Sequence, residues 1–185
     1  MTPIPPRISV PSSLVLARSV PPASPFQIIL VGAGGNGARL LPPLMQMLRP
    51  RDSVTIIDAD IVEDRNIVRQ HFSPADVGQP KALVLASRYR REGIVSYALI
   101  RAVTPQDTQE LLQTSRAPAD TPLVIFGCVD TPEARQAIAA CMVGALAVFQ
   151  YKAWIDVGNE TRGGQALLSL SGWPLIVKTD AGSSP

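Results

Sequence analysis

The residues best suited to chemistry begin with a cluster of glycines. Gly32-Ala33-Gly34-Gly35-Asn36-Gly37 satisfies the spacing G-x-G-x-x-G, directly after an apolar run and at the start of a helical pattern. Glycine permits a tight turn and lets the backbone approach a phosphate closely, while the free N–H groups and dipole of the helix start favour an anion. The plainer alternative is a turn that only closes strand-to-helix packing. Asp58 follows roughly 20 residues later, at the end of a second strand pattern, where a carboxylate can accept hydrogen bonds from ribose hydroxyls. These features alone do not choose among NAD, FAD and ATP.

The next stretch is more specific. Asp58-Ala59-Asp60-Ile61-Val62-Glu63-Asp64-Arg65-Asn66-Ile67-Val68-Arg69-Gln70 resembles the D-x-D-x-V-x-x-x-N-x-x-R-Q signature of the ThiF/MoeB/HesA family, the adenylation domains of the ubiquitin-activating type. Phe72 and Asp76-Val77-Gly78-Gln79-Pro80-Lys81-Ala82 continue the match, as do Trp154-Ile155-Asp156-Val157-Gly158-Asn159 and Gly163-Gly164-Gln165. The wording of this last segment, together with Arg69 to Gly78, most resembles the ThiF-like proteins of PRTRC gene systems.

The resemblance implies ATP and Mg²⁺ as cofactors and a chemistry in which a carboxylate meets the α-phosphate and expels pyrophosphate. Both partners are negative, so cations must screen them. In that scheme Gly32, Gly34, Gly35 and Gly37 cradle the nucleotide and Asp58 holds the ribose. Asn66 and Arg69 contact the phosphates, Gln70 supports their loop, and Lys81 reaches the phosphates as a mobile charge. Asp130, at the end of a later strand, takes Mg²⁺ or aligns the α-phosphate. Each residue has a plainer reading. Asp60 and Asp64 suit solvated or turn-capping positions, and Asn66 suits a turn cap. Arg69 can pair with Glu63, and Asp130 can cap the helix that opens at Thr131-Pro132-Glu133. His71, the one histidine, reads as a structural neighbour of the loop.

The elements that must position these residues alternate. Strands are expected at Phe26–Val31, Ser53–Asp58, Ile94–Ile100, Leu123–Gly127, Ala153–Val157 and Gln165–Leu170. Helices are expected after the glycine turn and at Pro80–Arg91, Thr104–Ser115 and Thr131–Val148. This order implies βαβ units and an α/β, Rossmann-like fold, a mainly parallel sheet with helices on both faces. Pro42 and Pro43 fall inside the first helical pattern and should kink it or delay its start. Residues 1–25, rich in Pro and Ser, read as an arm with at most a short strand at Leu14–Leu16. Residues 26–178 read as the adenylation domain and 179–185 as a frayed tail.

The 185 residues suffice for one domain with its own core, and 46% are hydrophobic. A net charge of +2 gives no electrostatic case for nucleic acid. Arg88, Arg90 and Arg91 form the densest basic group, expected on a solvated face. No apolar run is long enough for a membrane span, and the start lacks a basic region followed by an apolar stretch. With Cys128 and Cys141 as unpaired thiols, the cytoplasm is the expected compartment. Neither cysteine has zinc-site spacing, so no zinc site is expected, and both suit inert core positions. Family members that pass their product to sulfur use a cysteine after the G-Q element; this chain has none beyond Cys141. It therefore supports adenylation and not thioester or persulfide formation. The partner implied by the resemblance is a ubiquitin-like β-grasp protein ending in Gly-Gly, and the assembly a homodimer, with Arg7 or Arg18 as the arginine lent across it. Two other functions compete: a non-catalytic scaffold binding nucleotide or a ubiquitin-like partner, and an NAD-dependent oxidoreductase, which leaves Asn66, Arg69 and Lys81 unexplained.

Overall fold

The computed structural model describes residues 25–67, 69–103, 121–145, 152–160, 163–170 and 173–175. The expected helix Thr104–Ser115, the tail 179–185 and nearly all of the arm 1–25 lie outside the described residues. Among the described residues, seven strands form one sheet: β1 (Gln27–Val31), β2 (Ser53–Ile57), β3 (Val95–Leu99), β4 (Leu123–Gly127), β5 (Lys152–Glu160), β6 (Gly163–Leu170) and β7 (Trp173–Leu175). Their order is β3-β2-β1-β4-β5-β6-β7, parallel from β3 through β5 and antiparallel at β6 and β7. Three α-helices among the described residues accompany it: α1 (Gly35–Met47), α2 (Lys81–Arg88) and α3 (Pro132–Ala145).

β1 is buried at all five positions, and its alternation divides the core. Ile28 and Leu30 pack with Leu41, Leu44 and Met45 of α1 and with Val84 and Leu85 of α2. Ile29 and Val31 pack on the other face with Ala137, Ile138 and Met142 of α3. A period of two on the strand and of 3.6 on the helices therefore builds a three-layer stack. The connection direction reverses at β1, which lies between β2 and β4. At such a switch point a crevice opens beyond the carboxyl ends of the strands, so the topology places the ends of β1, β2 and β4 around one opening.

Several details refine the expectations. The start of α1 is not delayed by Pro42 and Pro43, which both lie inside the helix. Their missing N–H groups cost α1 two of its internal hydrogen bonds. Arg88, Arg90 and Arg91 are all exposed, as expected of a solvated face, but two of them also hold the chain together. Arg88 donates to the Asp76 carboxylate and the His71 carbonyl. Arg91 Nη1 donates to the Met45 and Leu48 carbonyls at 2.8 and 3.2 Å, capping the C-terminal end of α1, which has no basic residue in its last turn. No helix among the described residues is long and apolar enough to cross a membrane.

Candidate functional site

The opening at the switch point is a cleft of about 1200 Å³, at or above the roughly 300–1,000 Å³ usual for small-molecule sites. Gly32, Gly34 and Gly35 line it, together with Asp58. So do Arg69, Gln70, Lys81 and Asp130. Two expected residues do not. Gly37 serves the turn itself: a Cβ there would stand 1.9 Å from the Gly32 carbonyl oxygen. Asn66 is buried, and its Oδ1 accepts the Glu63 N–H at 2.8 Å, capping a short 3₁₀ turn over Asp64–Asn66. Its carbonyl accepts the Gln70 N–H at 2.8 Å, so it shapes the loop that carries Arg69 and Gln70.

Asp58 ties the glycine turn to the end of β2. Its Oδ2 accepts the Ala33 N–H at 2.6 Å and its Oδ1 the Asp60 N–H at 2.7 Å. Burial raises its carboxyl above the usual carboxylate range; these two N–H groups and Lys81 offset part of that rise, while Asp60 adds to it. The carboxylate is thus fixed in place with lone pairs still facing the cleft, as a hydroxyl-binding acceptor requires.

Lys81 is 6% exposed at the first position of α2, where the helix dipole disfavours a cation. Its Nζ donates to Asp60 Oδ2 at 2.8 Å, and its backbone N–H donates to the Asp60 carbonyl at 2.9 Å. Asp60 is therefore the lysine's counter-ion and not only a solvated acid, though its side chain remains 68% exposed. Ile61 and Pro80 pair as a bridge, Gly78 takes a φ of +84°, and its N–H donates to the Val62 carbonyl at 2.9 Å. That left-handed turn, natural for glycine, returns the chain so that Lys81 faces the cleft.

Asp130 sits beyond β4 and is exposed. It does not cap α3; the Thr131 hydroxyl accepts the Ala134 N–H at 3.3 Å instead. Among the described residues its carboxylate has no partner. Glu63 pairs with Arg65 at 2.5 Å and not with Arg69, whose guanidinium has no acidic partner among the described residues. Arg135 also lines the cleft, held by Asp156 at 2.9 Å and the Val129 carbonyl at 2.8 Å. Arg39, unflagged in the sequence, joins the lining from the second turn of α1, four residues beyond Gly35.

Among the described residues no group of three or more His, Cys, Asp or Glu side chains is arranged to hold a metal. Mg²⁺ does not require one, since it binds through one or two carboxylates together with substrate phosphates. The exposed, unpartnered carboxylate of Asp130 fits that requirement. Cys128 lines the cleft, but burial, with Asp156 adding to it, pushes its thiol up to about 12. It stays protonated at neutral pH and is a poor nucleophile; Cys141 is buried in the core.

Set against known proteins, residues 23–167 match the model of the ThiF family. No curated protein sequence matches the chain. Among solved structures, E. coli tRNA N6-threonylcarbamoyladenosine dehydratase, TcdA, in complex with ATP is 26% identical, covering 64% of this chain and 47% of that one, with a TM-score of 0.54. E. coli MccB with AMPCPP and MccA is 20% identical over 78% of this chain and 39% of that one, with a TM-score of 0.55. PaaA is 18% identical over 74% and 38%, with a TM-score of 0.56. These last two share the fold. The chain spans about half the length of TcdA and less of the other two.

Proposed function

This chain belongs to the ThiF family, and we propose that it uses ATP to adenylate a carboxylate, that of the C-terminal glycine of a small ubiquitin-like protein. The observation that carries this reading is the convergence in one cleft of the glycine turn, Asp58, Arg69, Lys81 and Asp130. A dehydrogenase needs Asp58 and the turn, but has no use for two cations and a free carboxylate around the same space. The ATP complex of TcdA supports the nucleotide; its name places that enzyme's chemistry on a tRNA nucleoside, so the ubiquitin-like partner rests on the sequence signature.

In this scheme Asp58 accepts from the ribose hydroxyls. Ile57, Val103 and Val129 give the adenine ring an apolar wall. The α-phosphate lies near the N–H groups at the start of α1. A carboxylate oxygen of the partner attacks the α-phosphorus; the new O–P bond forms as the bond to the β-phosphate oxygen breaks, and pyrophosphate leaves with the electron pair. Arg69 and Lys81 stabilise the negative charge that gathers on the leaving group. Mg²⁺, when bound with the nucleotide, would screen the phosphates, with Asp130 as its protein ligand. Cytoplasmic work accords with two free thiols and no disulfide among the described residues.

Calorimetry with Mg-ATP and with NAD is the direct test. Mg-ATP binding without NAD binding is expected; NAD binding alone would return the glycine turn to a dehydrogenase. Asp130→Ala is expected to keep the fold and lower pyrophosphate exchange with a Gly-Gly-ended partner by about 10²-fold or more, the scale of losing one transition-state contact. Equal exchange in the variant would show that Asp130 is not part of the machinery. The same reading carries a homodimer; a light-scattering mass near the 19.7 kDa of one chain at micromolar concentration would refute it.

A further inference from the structure

The cleft contains more positive charge than the sequence signature accounts for. Its lining cations are Arg101, Lys81 paired with Asp60, Arg135 paired with Asp156, and Arg39 and Arg69. Arg39 and Arg69 have no acidic partner among the described residues, and they meet: Arg39 Nη2 donates to the Arg69 carbonyl at 3.4 Å. Arg39 lies one helical turn beyond Gly35, on the same side of α1. Side chains on a helix lean toward its N-terminus, so this guanidinium reaches back over the start of α1. A cation there opposes the helix dipole, and α1 has no acid in its first turn to compensate. Two guanidiniums without an acidic partner among the described residues, beside the start of α1, make this side of the cleft suited to an anion, while Asp130 and Glu133 line it elsewhere. The match in charge is to a polyphosphate: a nucleoside triphosphate brings about two more negative charges than a monophosphate.

We propose that Arg39 binds the terminal phosphates of the nucleoside triphosphate beside Arg69, and holds the pyrophosphate as it leaves. This rests on the ATP-dependent reading above. Arg39 then makes the site select triphosphate over monophosphate, because its fork can engage two oxygens of a phosphate at once. The contact is supplied from within the chain, by the same helix whose first turn faces the α-phosphate. Arg39 also donates to the backbone carbonyl of Arg69, so the two guanidinium-bearing residues stand at the same part of the cleft.

The test compares dissociation constants for Mg-ATP and AMP in the wild type, Arg39→Ala and Arg39→Lys, with melting temperature as the fold control. Because Arg39 is exposed and has no acidic partner among the described residues, the melting temperature is expected to stay unchanged. Arg39→Ala is expected to weaken Mg-ATP about tenfold, the scale of one charged hydrogen-bonded contact, and AMP by less than about twofold. Arg39→Lys should restore part of the loss, as a point charge without the fork. Unchanged Mg-ATP affinity in Arg39→Ala, or equal weakening of Mg-ATP and AMP, overturns the inference while leaving the ATP reading intact. A wild type that binds no Mg-ATP overturns both.

Discussion

Lys81→Met is expected to weaken Mg-ATP binding about ten- to a hundredfold while leaving the melting temperature unchanged or higher. The two partners of the Lys81–Asp60 ion pair are unequal. Lys81 is 6% exposed, whereas the Asp60 side chain is 68% exposed. Burying an ammonium costs desolvation free energy, and methionine removes that cost while keeping a stem of similar length. The carboxylate left behind stays in water, so no charge is stranded. What disappears is a cation facing the cleft, and a charged hydrogen bond in such a place contributes about 1.5–3 kcal/mol. Asp60→Asn has the opposite signature: it leaves Lys81 buried without its counter-ion, so stability falls while the cation remains. Calorimetry and thermal melts on both variants separate these effects. Wild-type ATP affinity in Lys81→Met would show that the lysine only buttresses α2.

Gly37→Ala is expected to destabilise the protein by about 3 kcal/mol or more, the upper range for overpacking, whereas Gly34→Ala costs little. A Cβ on Gly37 would stand 1.9 Å from the Gly32 carbonyl oxygen, backbone against backbone, with no flexible side chain able to yield. A Cβ on Gly34 meets nothing within 4 Å, at a φ of −74° that any residue adopts. At roughly 2–4 °C per kcal/mol for a domain of this size, Gly37→Ala should melt about 6 °C or more below the wild type. Equal melting of the two variants would show that the turn yields as a whole and that the close approach is not limiting.

The strands were legible because their chemistry is local. Leu123–Gly127 is apolar, bounded by Pro122 and Asp130, and forms β4 with the expected bounds. The two-faced core follows from the alternation in Gln27–Val31. The short β7 at Trp173–Leu175 was not expected, since three residues containing Pro174 carry almost no strand signal and depend on pairing with β6. The 3₁₀ turns at Asp64–Asn66 and Pro74–Asp76 were missed for a similar reason: each is held by side chains that could equally face water. Asn66 is the instructive residue, since an amide at that spacing serves a phosphate or a turn equally well in sequence, and only the Glu63 N–H within 2.8 Å distinguishes them.

By itself the sequence determined the family, the βαβ order and most of the groups around the cleft, because turn chemistry, strand periodicity and a long signature are all encoded along the chain. The tertiary structure decided which of those groups are still available to a ligand. Four glycines that look alike divide into three that line the cleft and one that packs the turn. Asp60 becomes the partner of Lys81 across 21 residues, and Arg39 and Arg69 are brought together from 30 residues apart. Pairing of charges and close approach of backbones are long-range facts; they exist only once β1 and β2 lie side by side and the loops at their ends share one opening.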